Sequence, residues 1–431
     1  MSSTAPAPAP VPSPAAAPVD VAAVQRRVRT TLMAGQVLAG LGMGSTLSIG
    51  AILAAEVSGS PAYSGLAATM ATLGAALAAI PLARLAGRVG RAPALATGAL
   101  TAATGAVLAI VAAGLPSFPL LLIAIMLIGV GTAVNLQSRF AASDLAAPAT
   151  RGRDLSLVVW ATTVGAVSGP NLIGPGEQLG AAIGLPPLSG PFLFTVAAQV
   201  LAATLYLVAL RPDPLRLALR LARDAAAAAT AAGESGAEAA RSDRAGIRLA
   251  LIALALSHAT MVSVMAMTPV HLTDHGASLV VVGFTISLHI AGMYALSPVF
   301  GILADRLGRW WTILIGQALL VASLLFTALG AESEAAVVAG LILLGLGWSA
   351  ATVAGSALLT ESTAPDRRTV IQGRSDLLMS GSGAVGGLLA GPTLAALGYS
   401  GLSLIALGLV AVVVVVLALT PRAAGGHAPR R

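Results

Sequence analysis

Apolar runs of about 20 residues, the length a helix needs to cross the hydrocarbon core of a bilayer, recur along this chain. Windows near 29–55, 63–86, 93–114, 118–140, 154–175 and 190–210 meet that criterion. So do 248–270, 279–304, 310–330, 335–358, 372–397 and 400–420. Twelve spans use roughly 240 residues and leave only short loops. A mean hydropathy of +0.90 with 10% charged residues excludes a soluble domain, in which about a quarter of residues are charged.

The 24 basic residues, all arginines, fall on one side of these windows. Arg26, Arg27 and Arg29 precede the first; Arg84, Arg88 and Arg91 follow the second; Arg139, Arg151 and Arg153 follow the fourth. Seven more, from Arg211 to Arg248, lie between the sixth and seventh, and the remainder follow the eighth, tenth and twelfth. Cytoplasmic loops concentrate arginine because moving it across the bilayer is costly. Both termini are therefore expected inside. The net charge of +7 is a matter of topology, and no nucleic-acid partner is expected.

The chain has no cysteine, hence no disulfide, thiolate nucleophile or thiolate metal site; no metal or cofactor is expected. Residues 1–28 begin PAPAPVPSPAAAPVD after the first few positions and lack the pattern of a signal peptide. They are read as a disordered cytoplasmic tail, and 421–431 as a second one. Arginine without lysine, beside abundant alanine and glycine, hints at a high-GC bacterial genome and so at the plasma membrane.

One long polar stretch, residues 211–247, separates 29–210 from 248–420. Its first part sets Leu215, Leu219 and Ala222 against Arg216, Arg220 and Arg223, as in an amphipathic helix at an anionic leaflet or a solvated connector. The flanking segments repeat each other. AGRVGR at Ala86 returns as ADRLGR at Ala304, 218 residues on, and LIGVG at 127–131 returns as LLGLG at 343–347. GAVSGPNLIGP and GAVGGLLAGP follow at the same offset, with Gly165 matching Gly383. The expected fold is an all-α integral membrane protein of twelve transmembrane helices. They form two parallel six-helix repeats around a central cavity.

The segment GILADRLGR, with Gly301, Asp305, Arg306, Gly308 and Arg309, resembles the signature loop of the major facilitator superfamily. That resemblance implies a gate latch between the second and third helices of each half. Physically, Asp305 can cap a helix end or pair with an arginine, and Gly308 allows the tight turn. The first-half loop holds Arg88, Gly90 and Arg91, with Gly87 where the family has aspartate. Gly165, Gly169, Pro170 and Gly174 resemble the glycine-proline motif of drug-proton antiporters, which implies a sealing contact; glycines allow close helix approach and Pro170 a bend. Ile125 stands where that branch carries a fourth-span arginine.

Ionisable groups within spans are costly and mark function. His258 and His289 lie at mid-span depth and Asp376 nearer the inside, making them candidates for proton coupling; a histidine bonded between helices is the plainer alternative. Asn135, Gln137, Met265 and Tyr294 are candidates for the cavity wall, with helix packing as the alternative. No nucleotide loop, zinc motif or serine elbow is present, so an enzyme is not expected. The resemblance implies a secondary transporter, expected to be monomeric, that uses a proton gradient to export small amphipathic or hydrophobic compounds. Uptake or facilitated transport of a metabolite is the alternative, and a channel or membrane enzyme a more remote one.

Overall fold

The computed structural model describes residues 20–59, 63–231 and 242–420, so the terminal segments 1–19 and 421–431 lie outside it. Among the described residues there is no strand. The first half comprises α1 (Val21–Ser58), α2 (Ser64–Val89), α3 (Arg91–Gly114), α4 (Phe118–Ala141), α5 (Arg151–Ser168), α6 (Ile173–Ala182) and α7 (Pro191–Ala209). The linker helix α8 (Pro214–Ala231) follows. The second half comprises α9 (Arg244–Asp274), α10 (Leu279–Tyr294), α11 (Ser297–Arg306), α12 (Arg309–Leu329), α13 (Glu334–Ser362) and α14 (Arg368–Leu419).

Nine helical stretches among the described residues are long and apolar enough to cross a membrane. Some hold more than one helix. α14 turns at Gly398, whose φ of 70° and ψ of −178° break the helical path; a residue without Cβ adopts this backbone without strain. α10 and α11 form one apolar stretch interrupted before Pro298, whose missing donor suits the first turn of a helix. α5 ends at Ser168, and a 3₁₀ turn at Pro170–Leu172 leads into α6.

Alanine and glycine let these helices lie close. A Cβ at Gly165 would stand 2.5 Å from the Val37 carbonyl oxygen on α1, while Gly174 faces open space. The glycine-proline segment therefore presses on α1 at Gly165 and stays beside it through the 3₁₀ turn, while Gly174 takes no part in that contact. Within the first half α1 packs on α5 and α7, and α3 on α4 and α7. In the second half α9 packs on α14 and α13, and α12 on α13. Two seams join the halves: α2 against α14, and α5 against α11. The linker helix buries Leu215 and Leu217 and leaves Arg216, Arg220 and Arg223 exposed.

Candidate functional site

At the end of the bundle where α2 turns into α3 and α11 into α12, two tight turns form at Gly90 (φ 103°) and Gly308 (φ 96°). Asp305, near the end of α11, does not cap its own turn. Its carboxylate reaches the other half and accepts the Gly152 and Arg153 backbone N–H groups, each at 2.9 Å. These are unpaired donors of the first turn of α5, where a negative charge is also favoured by the helix dipole. Arg309 ties the seam further: it pairs with Asp305 at 3.1 Å and donates to Glu361 at 2.7 Å and to the Pro148 carbonyl at 3.0 Å. Arg151 approaches Glu361 at 3.5 Å, and Gly301 lies against Gly152 and Ser156. Arg306 and Arg88 are exposed.

The α2–α14 seam is different. A Cβ at Gly87 would lie 2.9 Å from the Thr369 hydroxyl, and one at Gly373 would lie 2.5 Å from Ala83. Arg91 is fully buried, donates to both oxygens of Asp144 at 2.8 and 3.1 Å, and crosses the seam to Gln372 at 2.7 Å. Asp213, ahead of the linker helix, accepts the Ala92 N–H at 2.9 Å and the Leu215 and Arg216 N–H groups at the start of α8. One carboxylate thus fixes the linker helix to the turn that carries Arg91.

Further into the bundle, Arg139 of α4 donates to Asp376 of α14 at 2.9 Å, and both are buried. Arg139 also lies 3.6 Å from the Met379 sulfur and 4.8 Å over the Phe140 ring. Its Nε and the Asp376 Oδ2 atom have no protein partner. Asp376, Met379 and Gly383 share one face of α14, over about 10 Å of rise. Beside Gly383 stands His258, close enough that a Cβ at this glycine would meet it at 2.7 Å. The Trp348 indole donates to His258 Nδ1 at 3.0 Å, which places the imidazole proton on Nε2, and Tyr294 meets Trp348 edge-on at 5.8 Å. Met265 and Tyr294, both partly exposed, pack with Leu136 of the first half around this layer.

The remaining candidates lie elsewhere. Asn135 accepts from Gln36 through its backbone and side-chain oxygens, at 3.1 and 3.3 Å. Gln137 is buried and donates to the Ala79 carbonyl of α2, so it joins helices instead of lining open space. His289 is sealed between α10 and α13, bonded at Nδ1 to the Leu341 carbonyl, with Nε2 buried and unpartnered. Among the described residues no cluster could hold a metal.

Asp144, Asp213, Glu361, Gln372 and Trp348 were not singled out from sequence. A signal existed for two of them: Asp144 and Glu361 stand 217 residues apart, nearly the 218 between their partners Arg91 and Arg309. Chemically, the Arg139–Asp376 pair is the distinctive element. Two buried charges from opposite halves need each other, because separating such a pair without replacement costs about 3–5 kcal/mol.

The chain is 37% identical over 384 residues, 88% of each chain, to the uncharacterized MFS-type transporter YdeG of Bacillus subtilis (strain 168). It is 28% identical to the riboflavin transporter RfnT of Brucella anthropi, over 95% of this chain and all of that one. In fold it resembles the human organic anion transporter MFSD10 (TETRAN), with a TM-score of 0.72 at 18% identity over 91% of this chain and 99% of that one. The model of the Major Facilitator Superfamily matches residues 32–271 and 249–431, and with helices, seams and relatives in agreement the chain belongs to that superfamily of membrane transporters.

Proposed function

We propose that this transporter is a proton antiporter that exports small amphipathic organic compounds. Its twelve spans are arranged as two repeats that rock about the Arg139–Asp376 layer. The arginine-rich end is taken as the cytoplasmic face, with both termini inside a bacterial plasma membrane. The exchange of partners supports the repeat: α2 and α5, moved by 218 residues, fall on the α10–α11 stretch and on the first part of α14. The two seams are then related by a two-fold rotation.

The observation that carries the reading is the buried pair Arg139–Asp376. When the halves part at the inner end, its charges need a substitute. A proton on Asp376 neutralises one of them, so proton binding and gate movement are linked; His258, one layer outward, is a relay. Substrate meets the partly exposed Tyr294, His258 and Met265 above the pair, an aromatic and thioether wall that suits flat or amphipathic ligands. His289, being sealed, is left out of the path. The partial glycine-proline motif supports the antiporter branch. Proton-coupled uptake is the second reading, favoured by Arg139, which becomes an anion site once Asp376 is neutral.

The test uses vesicles and three probes: riboflavin, an organic anion such as salicylate, and an amphipathic amine such as propranolol. Asp376→Asn should keep counterflow of the transported probe and lose accumulation driven by a pH gradient. Accumulation by the variant equal to that of the parent would refute coupling at this residue. The direction of gradient that drives transport separates export from uptake.

A further inference from the structure

A cleft of ≈ 200 Å³ opens where the linker helix meets both halves at the arginine-rich end. Its apolar walls are Leu145 and Ala146 from the α4–α5 connection, Leu215 and Leu219 of α8, and Pro365 before α14, while Arg368 supplies a cation. The Arg368 guanidinium is half-buried and donates from Nε to the Thr363 carbonyl at 3.2 Å; among the described residues no carboxylate forms an ion pair with it. Asp144 also borders the cleft, but both its oxygens are held by Arg91. Glu361, the next carboxylate, is committed to Arg309 and Arg151. The space takes a chain of several carbons and is too small for a folded segment.

We infer that this cleft binds a small amphiphile with an acidic head and a short apolar tail, of medium-chain fatty-acid size, and that its occupancy holds the inner gate shut. A half-buried guanidinium that forms no ion pair among the described residues, its neighbouring carboxylates being held by other arginines, is complementary, beside leucine walls, to such a molecule. The effect on the gate follows from where the walls come from. Two belong to opposite halves and the third to the linker helix, so the cleft is complete only while the seams are closed. A ligand shifts an equilibrium by its differential affinity for the two states, and here one state lacks the site. This inference rests on the rocking motion proposed above.

Because the chain has no native cysteine, spin labels at Arg88→Cys and Val370→Cys report the distance across the α2–α14 seam in nanodiscs. Octanoate should raise the closed-to-open ratio roughly tenfold, and 1-octanol should not. Arg368→Gln should need at least about tenfold more octanoate for the same shift, and less binding by equilibrium dialysis should accompany it; one pair near a charged head contributes on the order of that factor. Leu219→Trp, which fills the cleft, should close the seam unaided and abolish the response. Equal action of octanoate and octanol, or an unchanged response in Arg368→Gln, overturns the site. Asp305→Asn, read with the labels moved to Arg153→Cys and Arg306→Cys across the α5–α11 seam, serves as the control for rocking: if it leaves that distance unchanged, the alternating motion fails, while dialysis still decides whether octanoate binds through Arg368.

Discussion

At the α5–α11 seam a carboxylate reaches across and caps the opposing helix, whereas the matching position of the α2–α14 seam is Gly87, packed on Thr369. The polar contacts are just as unequal. Asp305 to two amides, Arg309 to Pro148, Arg151 to Glu361 and Ser297 to the Ser156 carbonyl cross the first. The second is crossed by the Arg91–Gln372 bond and, between α4 and α14 beside it, by the buried Arg139–Asp376 pair; the rest is close glycine and alanine packing. The strong Arg91–Asp144 pair lies wholly within the first half, so it survives opening of the seam. What separates at its rim is a neutral amide and a set of van der Waals contacts, which water replaces easily; the charged contact that must be replaced is the buried Arg139–Asp376 pair. The two seams can therefore resist opening in different ways: one is held by several charged contacts at its rim, the other by one buried ion pair and close packing.

The largest expected effect concerns stability. Arg91→Ala strands Asp144 as a buried, unpaired carboxylate, and should lower thermal stability in detergent by about 3–5 kcal/mol. Arg309→Ala removes contacts that water partly screens, to a Glu361 side chain 30% exposed, to Asp305 and to the Pro148 carbonyl, and should cost about 1–2 kcal/mol. Equal losses in the two variants would erase the contrast. Next comes Gly373→Val, which drives a side chain into Ala83 and should widen the labelled α2–α14 distance in most molecules; overpacking costs about 1–3 kcal/mol. An unchanged distance would show that the seam has slack.

Asp305→Asn exchanges one acceptor for a donor facing an N–H. Hydrogen exchange at the first turn of α5, measured at Gly152 and Arg153, should speed up roughly tenfold, as for loss of a helix cap of about 1–2 kcal/mol. Protection equal to that of the parent would deny the cap any role in the seam. The smallest effect is expected for Gly87→Asp. The Thr369 hydroxyl must rotate away, after which the carboxylate faces the first turn of α14 and should favour the closed state by about 0.3–1 kcal/mol. Failure of this variant to fold would mean that glycine is required there for space alone.

Much of the scaffold was legible in the residues. Windows at 118–140, 190–210 and 310–330 lie within two residues of α4, α7 and α12, because lipid-facing and buried helix surfaces are both apolar. The amphipathic pattern after Arg211 marked α8, and GILADRLGR marked the turn that holds Asp305. The pairings were not legible. Arg139 and Asp376 are 237 residues apart, and Arg91 and Gln372 are 281; no local period encodes which inward-facing polar group meets which. For the same reason His258 and His289, alike in sequence depth, part company in the fold: one stands in the partly exposed aromatic layer, the other is sealed between helices. Gln137 and Asn135, two residues apart on α4, point about 200° apart around the helix, a difference that hydropathy does not resolve.

The corner at Gly398 has a mechanical consequence. A single residue with φ of 70° joins two membrane-length helices. The following Tyr399 is locked by a hydroxyl contact of 2.8 Å to Thr268 and by face-to-face stacking on His271 at 4.2 Å. Such a joint behaves as a welded elbow: a torque applied at Asp376 on one arm is transmitted to the other arm without a slack loop to absorb it. Lengthening the elbow by two or three glycines should decouple the arms, leaving a protein that folds and binds but turns over slowly.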